Sequence, residues 1–147
     1  MIQYAQGDLF DSGAQVLTNP VNCVGVMGKG LAKGFADRFP GILKPYKAAC
    51  ADGRLRPGQV QLLTLPDGTV IANLPTKDHW RHPSQIEWVR DGLWTLRIKM
   101  RERGLTTVAI PPLGAGLGRL DWKAVDGQIN ATFGADDDIT AYVYAPR

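Results

Sequence analysis

The segment N19PVNCVGVMGKGLAKGF35 decides how this chain is read. It follows a β-branched apolar run, Gln15 to Pro20, and opens a helical pattern in which Leu31 and Phe35 share a face until Pro40 stops it. Glycines at 25, 28 and 30 let the backbone approach a ligand closely. The helix N-terminus behind them offers unpaired N–H groups and the positive end of a dipole. Strand, glycine-rich loop and helix in that order form a phosphate-binding arrangement. A Walker A loop is excluded, because Cys23 stands where its first glycine belongs and Gly30 replaces the Ser or Thr that holds magnesium. A dinucleotide fingerprint is matched loosely by Gly28, Gly30 and Gly34. However, a second helix carrying Leu43, Tyr46 and Cys50 follows, ending near Gly53 with Asp52 in its terminal turn, and the required strand with an acidic end is missing.

A second glycine-rich loop, P111PLGAGLGRLDW122, again follows a strand (Val108 to Pro111) and again leads into a helix, from an Asp121 cap through Val125 and Ile129 to Gly134. Either loop alone reads equally well as a tight turn. Two of them at strand ends are what a diphosphate held between loops requires.

The remaining strand candidates are Ile2 to Ala5, Val60 to Leu65, Thr69 to Leu74, Thr107 to Pro111 and Thr140 to Tyr144. Pro66, Asp67 and Gly68 join the second and third as an antiparallel hairpin. Ser84 and Glu87 have capping-box spacing ahead of Ile86, Val89, Leu93, Leu96 and Met100, with Arg90, Arg97 and Arg101 on the opposite face and Gly104 at the end. Alternating strands and helices predict an α/β fold with a mixed, mostly covered sheet. The 147 residues, 44% of them hydrophobic, suit one domain, and they contain no repeat or linker.

Lysine and arginine exceed aspartate and glutamate by 17 − 14 = 3. This excess suits an anionic partner without identifying nucleic acid as one. Two cysteines, Cys23 and Cys50, exclude a disulfide scaffold, and no cluster suggests a metal or cofactor site. No run reaches the ~18 apolar residues of a membrane span, so a soluble cytoplasmic protein is expected.

The segment A72NLPTKDHWRHPS84 places Lys77 just past an apolar run. Its amine reads either as a solvated charge at a hairpin end or as a group delivered to a reaction. Trp80 and Arg81 combine an aromatic face with positive charge, the pairing that stacks a base and neutralises a phosphate. The alternative has Trp80 packed under the helix beginning at Ser84 and Arg81 in water. Trp88, Trp94 and Trp122 are expected to pack in the core or between helices.

Five ordered segments, Q6GDLF10, the first loop, N73LPTKDHW80, the second loop and A141YVYAP146, resemble the macrodomain family across essentially the whole chain. The resemblance is to the branch of the DNA ADP-ribosyl glycohydrolase antitoxins and the terminal ADP-ribose protein glycohydrolases. It implies one three-layer α/β/α macrodomain over residues 1–147, with ADP-ribose lying across the strand ends. Asp8 would accept a hydrogen bond from the adenine amino group, flanked by the Leu9 backbone and Tyr144. Val26, Met27, Gly28, Lys29, Gly30 and Leu31 of the first loop would hold the diphosphate together with Gly114, Ala115, Gly116, Leu117 and Gly118 of the second. Asn22 would face the distal ribose and assist there, and Lys77 would be the catalytic residue. Read without the resemblance, Asp8 caps a turn, Asn22 forms an Asx-turn within its own loop and Tyr144 is an ordinary sheet residue.

The implied activity is hydrolysis of ADP-ribose from nucleobases in DNA, with Trp80 and Arg81 on the nucleic acid and an ADP-ribosyltransferase toxin as possible partner. Removal of ADP-ribose from acidic protein side chains or O-linked esters is the alternative, and a non-enzymatic ADP-ribose reader is a third reading. An unperturbed lysine titrates near ~10.4, so Lys77 must be desolvated or crowded by a cation such as Arg81 or Arg119 to work as a free amine. One departure from the family bears on mechanism. The human terminal ADP-ribose protein glycohydrolase pairs its lysine with a second-loop aspartate, and Gly118 stands at that position.

Overall fold

The computed structural model describes residues 1–147. The β-branched runs form six strands: β1 (Ile2–Ala5), β2 (Val16–Val21), β3 (Gln61–Thr64), β4 (Val70–Pro75), β5 (Thr107–Ile110) and β6 (Thr140–Tyr144). Helices α1 (Gly30–Arg38), α2 (Leu43–Ala51), α3 (Ile86–Glu102) and α4 (Trp122–Phe133) connect them, with short 3-10 turns at Leu9–Asp11 and Pro40–Ile42.

The strands lie in the order β1-β6-β5-β2-β4-β3. All adjacent pairs are parallel except β3 against β4, where the hairpin turn is closed by Leu65 N–H donating to Thr69 O and by a left-handed Gly68. Side chains alternate across the sheet, as the pleat requires. Val70, Ala72 and Leu74 join α3 and α4 in one apolar cluster, while Ile71 joins α1 and α2 in the other. The result is the expected three-layer α/β/α sandwich around a mixed sheet.

Buried polar groups also cross the sheet. Asn19 on β2 donates to Asn73 on β4 at 3.0 Å, and Asn73 donates to Gln61 on β3 at 3.0 Å, an amide ladder at matched register.

Three local expectations need correction. Ser84 does not cap α3: the N-cap residue is Gln85, without a side-chain cap bond, and Ser84 is buried with its backbone N–H donating to Gly118 O at 3.1 Å. Asp121 holds the N-cap position of α4 with extended backbone, but its carboxylate makes no cap bond. Trp94 is 51% exposed on α3, with the Arg97 guanidinium 5.1 Å from its ring centroid, because Val89, Leu93, Leu96 and Met100 already fill the core-facing stripe.

This topology concentrates the singled-out residues at one edge. All five parallel strands end there, and in open α/β sheets that edge binds ligands. β2 lies between β5 and β4, so the first loop is flanked by the second loop on one side and by Lys77 on the other. Asp8 follows β1 and Tyr144 is the last residue of β6, at the far end of the same edge.

Candidate functional site

A cavity of about 630 Å³ opens over these strand ends. Of the singled-out residues, its wall holds Asn22, Val26, Gly28, Lys29, Gly30, Leu31, Lys77, Trp80, Arg81, Gly114, Gly116, Leu117 and Gly118. Met27 and Ala115 turn inward instead: Met27 is buried in the α1–α2 cluster, and Ala115 packs on the α3–α4 cluster. Asp8, Leu9 and Tyr144 lie outside this wall. The Asp8 carboxylate caps the Leu9–Asp11 turn, accepting from Phe10 N–H at 2.9 Å. Burial, then the Asp8 charge, push the Tyr144 phenol above its ordinary range, so these two side chains are electrostatic neighbours.

The first loop is held by Asn22. Its Oδ1 accepts from Val24 N–H at 3.1 Å, Val26 N–H at 3.4 Å and the Tyr46 hydroxyl at 2.8 Å, while Nδ2 donates to Val26 O at 2.8 Å. The carboxamide therefore forms the Asx-turn and has one N–H left for a ligand. Tyr46 also donates to Asn22 O at 2.8 Å, which fixes the turn to α2. Nothing in the sequence flags this tyrosine, because it stands 24 residues away and its apolar ring fits the helix pattern. α1 begins without a side-chain cap, so its first N–H groups have no side-chain partner, and its first residues line the cavity.

The second loop meets the first where a Cβ on Gly30 would come within 3.2 Å of Leu117 Cδ1. Gly118 is more tightly constrained. A Cβ there would stand 2.1 Å from Ser84 Oγ and 2.5 Å from Gly114 O, so no side chain fits without displacing the loop or Ser84. An aspartate, like any other side chain, has no space at this position.

Lys77 is partly buried on the cavity wall, and its ammonium donates to Leu117 O at 3.4 Å. Burial, and then the nearby Arg119 guanidinium, hold its amine below the ordinary lysine range. Beyond Lys77, the turn is organised by Asp78, which accepts from His79 N–H at 2.7 Å and pairs with His82 Nδ1 at 3.1 Å. The backbone carbonyl of Asp78 accepts from Cys23 N–H at 3.1 Å, joining the lysine segment to the first loop. Trp80 is 45% exposed, with Arg81 4.7 Å from its ring centroid, so the indole stands at the cavity rim and does not pack under α3.

The wall's charged and titratable groups are Lys29, Lys77, Arg81, His82 and Arg119, with no carboxylate. No group of three His, Cys, Asp or Glu residues is placed to hold a metal ion. Cys23 is buried and free, and burial followed by the neighbouring Cys50 pushes its thiol up to about 12, which leaves it unreactive. No helix is long and apolar enough to cross a membrane.

Residues 18–136 match the Macro domain family model, and the chain belongs to that family. It is 40% identical to the DNA ADP-ribosyl glycohydrolase of Mycobacterium tuberculosis over 99% of this chain and 42% of that protein. The solved macrodomain of M. tuberculosis DarG superposes with a TM-score of 0.95 at 41% identity, covering 100% of this chain and 99% of that one. Thermosipho africanus DarTG, solved in complex with ADP-ribose, gives 0.91 at 31% identity over 99% of this chain and 41% of that one. Human ADP-ribose glycohydrolase OARD1 is 31% identical over 96% of this chain and 90% of its own length. The chain thus spans about two fifths of the curated bacterial relatives it matches.

Proposed function

We propose that residues 1–147 act as a single macrodomain that hydrolyses ADP-ribose from nucleobases in DNA. The observation that carries this reading is the composition of the cavity wall, with five basic or imidazole side chains, no carboxylate and an exposed indole at the rim. Such a wall receives a molecule that is anionic along its length and ends in an aromatic base. Similarity to DNA ADP-ribosyl glycohydrolases, and to a DarTG solved with ADP-ribose, supports it.

In this reading the adenine lies at Asp8, Leu9 and Tyr144, the diphosphate crosses the two loops, and the distal ribose reaches Lys77. Trp80 and Arg81 take the nucleic acid beyond it. Water attacks the anomeric carbon as the bond to the base nitrogen breaks. The free amine of Lys77 accepts a proton from that water and returns one to the departing nitrogen. Its lowered basicity suits this role, since an ordinary lysine is almost wholly cationic at neutral pH. Asn22 keeps the first loop in shape and presents its remaining N–H to the sugar.

Similarity to OARD1 favours a second reading, hydrolysis of ADP-ribose esters on protein. Exclusion of a carboxylate from position 118 weighs against a mechanism that needs one there. The deciding experiment compares release of ADP-ribose from a modified single-stranded oligonucleotide and from a modified protein. Turnover on DNA supports the proposal, and turnover confined to protein overturns it. The proposal includes a cytoplasmic setting and, as partner, an ADP-ribosyltransferase acting on DNA.

A further inference from the structure

Arg119 is the only non-glycine residue with positive φ, at 64°. A β-carbon is strained in this left-handed region, where glycine sits freely, and non-glycine outliers of this kind gather at working sites. Three backbone hydrogen bonds surround this turn. Arg119 N–H donates to Gly116 O at 3.1 Å, Leu120 N–H donates to Gly114 O at 2.8 Å, and Gly118 O accepts from Ser84 N–H at 3.1 Å. Beneath the turn lies the Ser84 hydroxyl, buried and without a hydrogen-bond partner, in the space a side chain at 118 would occupy.

Arg119, its side chain exposed, lines the cavity wall with Lys77, whose ammonium is bonded to Leu117 O two residues earlier in the same loop. The other titratable groups on that wall are Lys29 before α1, and Arg81 and His82 in the turn after β4. The nearest acidic residue along the chain, Asp78, has its carboxylate engaged by His79 N–H and His82. No acid on the wall offsets a cation placed beside Lys77.

We infer that Arg119 is a positioning residue for the reaction: the left-handed turn after Gly118 brings its positive charge to the same acid-free wall as the Lys77 amine, and that charge keeps the amine available as a base. This rests on the catalytic reading of Lys77 given above. The direction of the Lys77 shift agrees, since Arg119 is its second cause after burial. The charge does its work by repulsion, so a purely structural arginine and this one differ in what they do to titration.

The test uses Arg119→Gly, which removes the charge while suiting the left-handed backbone, and Arg119→Lys, which keeps the charge. For Arg119→Gly, the acid limb of the kcat–pH profile on ADP-ribosylated oligonucleotide moves to higher pH and kcat at saturating substrate falls at neutral pH, separately from any rise in KM caused by losing one cation of the wall. Arg119→Lys keeps the wild-type limb. Independently of turnover, NMR titration of the Lys77 Nζ resonance shows a higher midpoint in Arg119→Gly than in wild type. An unchanged midpoint overturns the inference even if DNA is the substrate. A shifted midpoint in a protein inactive on DNA upholds the electrostatic coupling and rejects the proposed substrate.

Discussion

The Lys77 ammonium donates to the carbonyl of Leu117, 40 positions later, at 3.4 Å. The amine following β4 is therefore already bonded to the loop following β5 across the strand between them. Lys77→Ala removes the group assigned to proton transfer and its bond to Leu117 O, but leaves both glycine-rich loops and the proposed adenine end at Asp8, Leu9 and Tyr144. Turnover is expected to fall roughly 10²- to 10⁴-fold, the usual contribution of a positioned acid or base. ADP-ribose affinity by calorimetry should stay within a few-fold of wild type. Unchanged turnover would remove the lysine from the mechanism and favour a binding module.

Asn22 and Tyr46 allow loop geometry to be separated from chemistry. Tyr46→Phe deletes a hydroxyl that donates to both Asn22 O and Asn22 Oδ1. The loss is expected to cost about 1 kcal/mol, with more if the freed carbonyl stays buried and unpaired. ADP-ribose binding should weaken in parallel, since the first loop loses its tie to α2. Asn22→Ala should weaken it further, by releasing Val24, Val26 and Tyr46 together. Wild-type affinity in both variants would show that the loop holds its shape without them.

That pair also shows where reading the sequence stops. The strands were legible because each is a β-branched run between turn residues, and β1 and β6 match their expected bounds. The loops were legible only as a pair, because two glycine-rich stretches each stand between a strand and a helix, whereas either alone reads as a tight turn. Long-range polar pairing was not. The Asn22–Tyr46 bond, the Gln61–Asn73–Asn19 ladder and the Ser84–Gly118 contact each join residues whose local patterns are satisfied some other way. Ser84 is the clearest case. Its spacing to Glu87 fits a capping box, yet the second loop descends onto it and turns its hydroxyl inward. The exposed Trp94 failed for a related reason, since hydrophobic character alone cannot say which face of α3 is already full.

Gly118→Asp tests whether a carboxylate can be restored. The β-carbon alone would overlap Ser84 Oγ and Gly114 O, so the variant should lose roughly 1–3 kcal/mol of stability through overpacking. It should also bind ADP-ribose more weakly, without gaining ester hydrolysis. Ser84→Gly in the same chain should return part of the stability, because it removes one of the two obstructing groups. A Gly118→Asp protein that melts like wild type would refute the packing account.

Trp80 and Arg81 line the cavity outside the path proposed for adenine and diphosphate. Trp80→Ala and Arg81→Ala should raise KM for ADP-ribosylated oligonucleotide while leaving affinity for free ADP-ribose nearly intact. Removing a base-stacking indole typically costs ~1–3 kcal/mol per base. Loss of Arg81 should in addition flatten the salt dependence of oligonucleotide binding, as expected when one phosphate contact is removed. Equal weakening of both ligands by either substitution would place that residue in the ADP-ribose site itself.

Acid sensitivity should trace largely to Asp136, far from the cavity. Its carboxylate is almost wholly buried and is met by Arg97 Nε at 2.8 Å, by Arg101 at 3.4 Å and by Asp138 N–H at 2.9 Å. Burial opposes ionisation, but the hydrogen bonds from Arg97 and Arg101 outweigh it and hold the group at about 2. An unfolded aspartate titrates near ~3.9. The folded value is the lower one, so the stabilisation is fully present above about pH 4 and fades as pH falls towards 2. The gap corresponds to on the order of 2 kcal/mol at neutral pH. Urea melts at a series of pH values should show wild type losing this increment across that window. Asp136→Asn, less stable at neutral pH, should show a flatter dependence there. Parallel curves for the two proteins would mean that the acid response originates in other carboxylates.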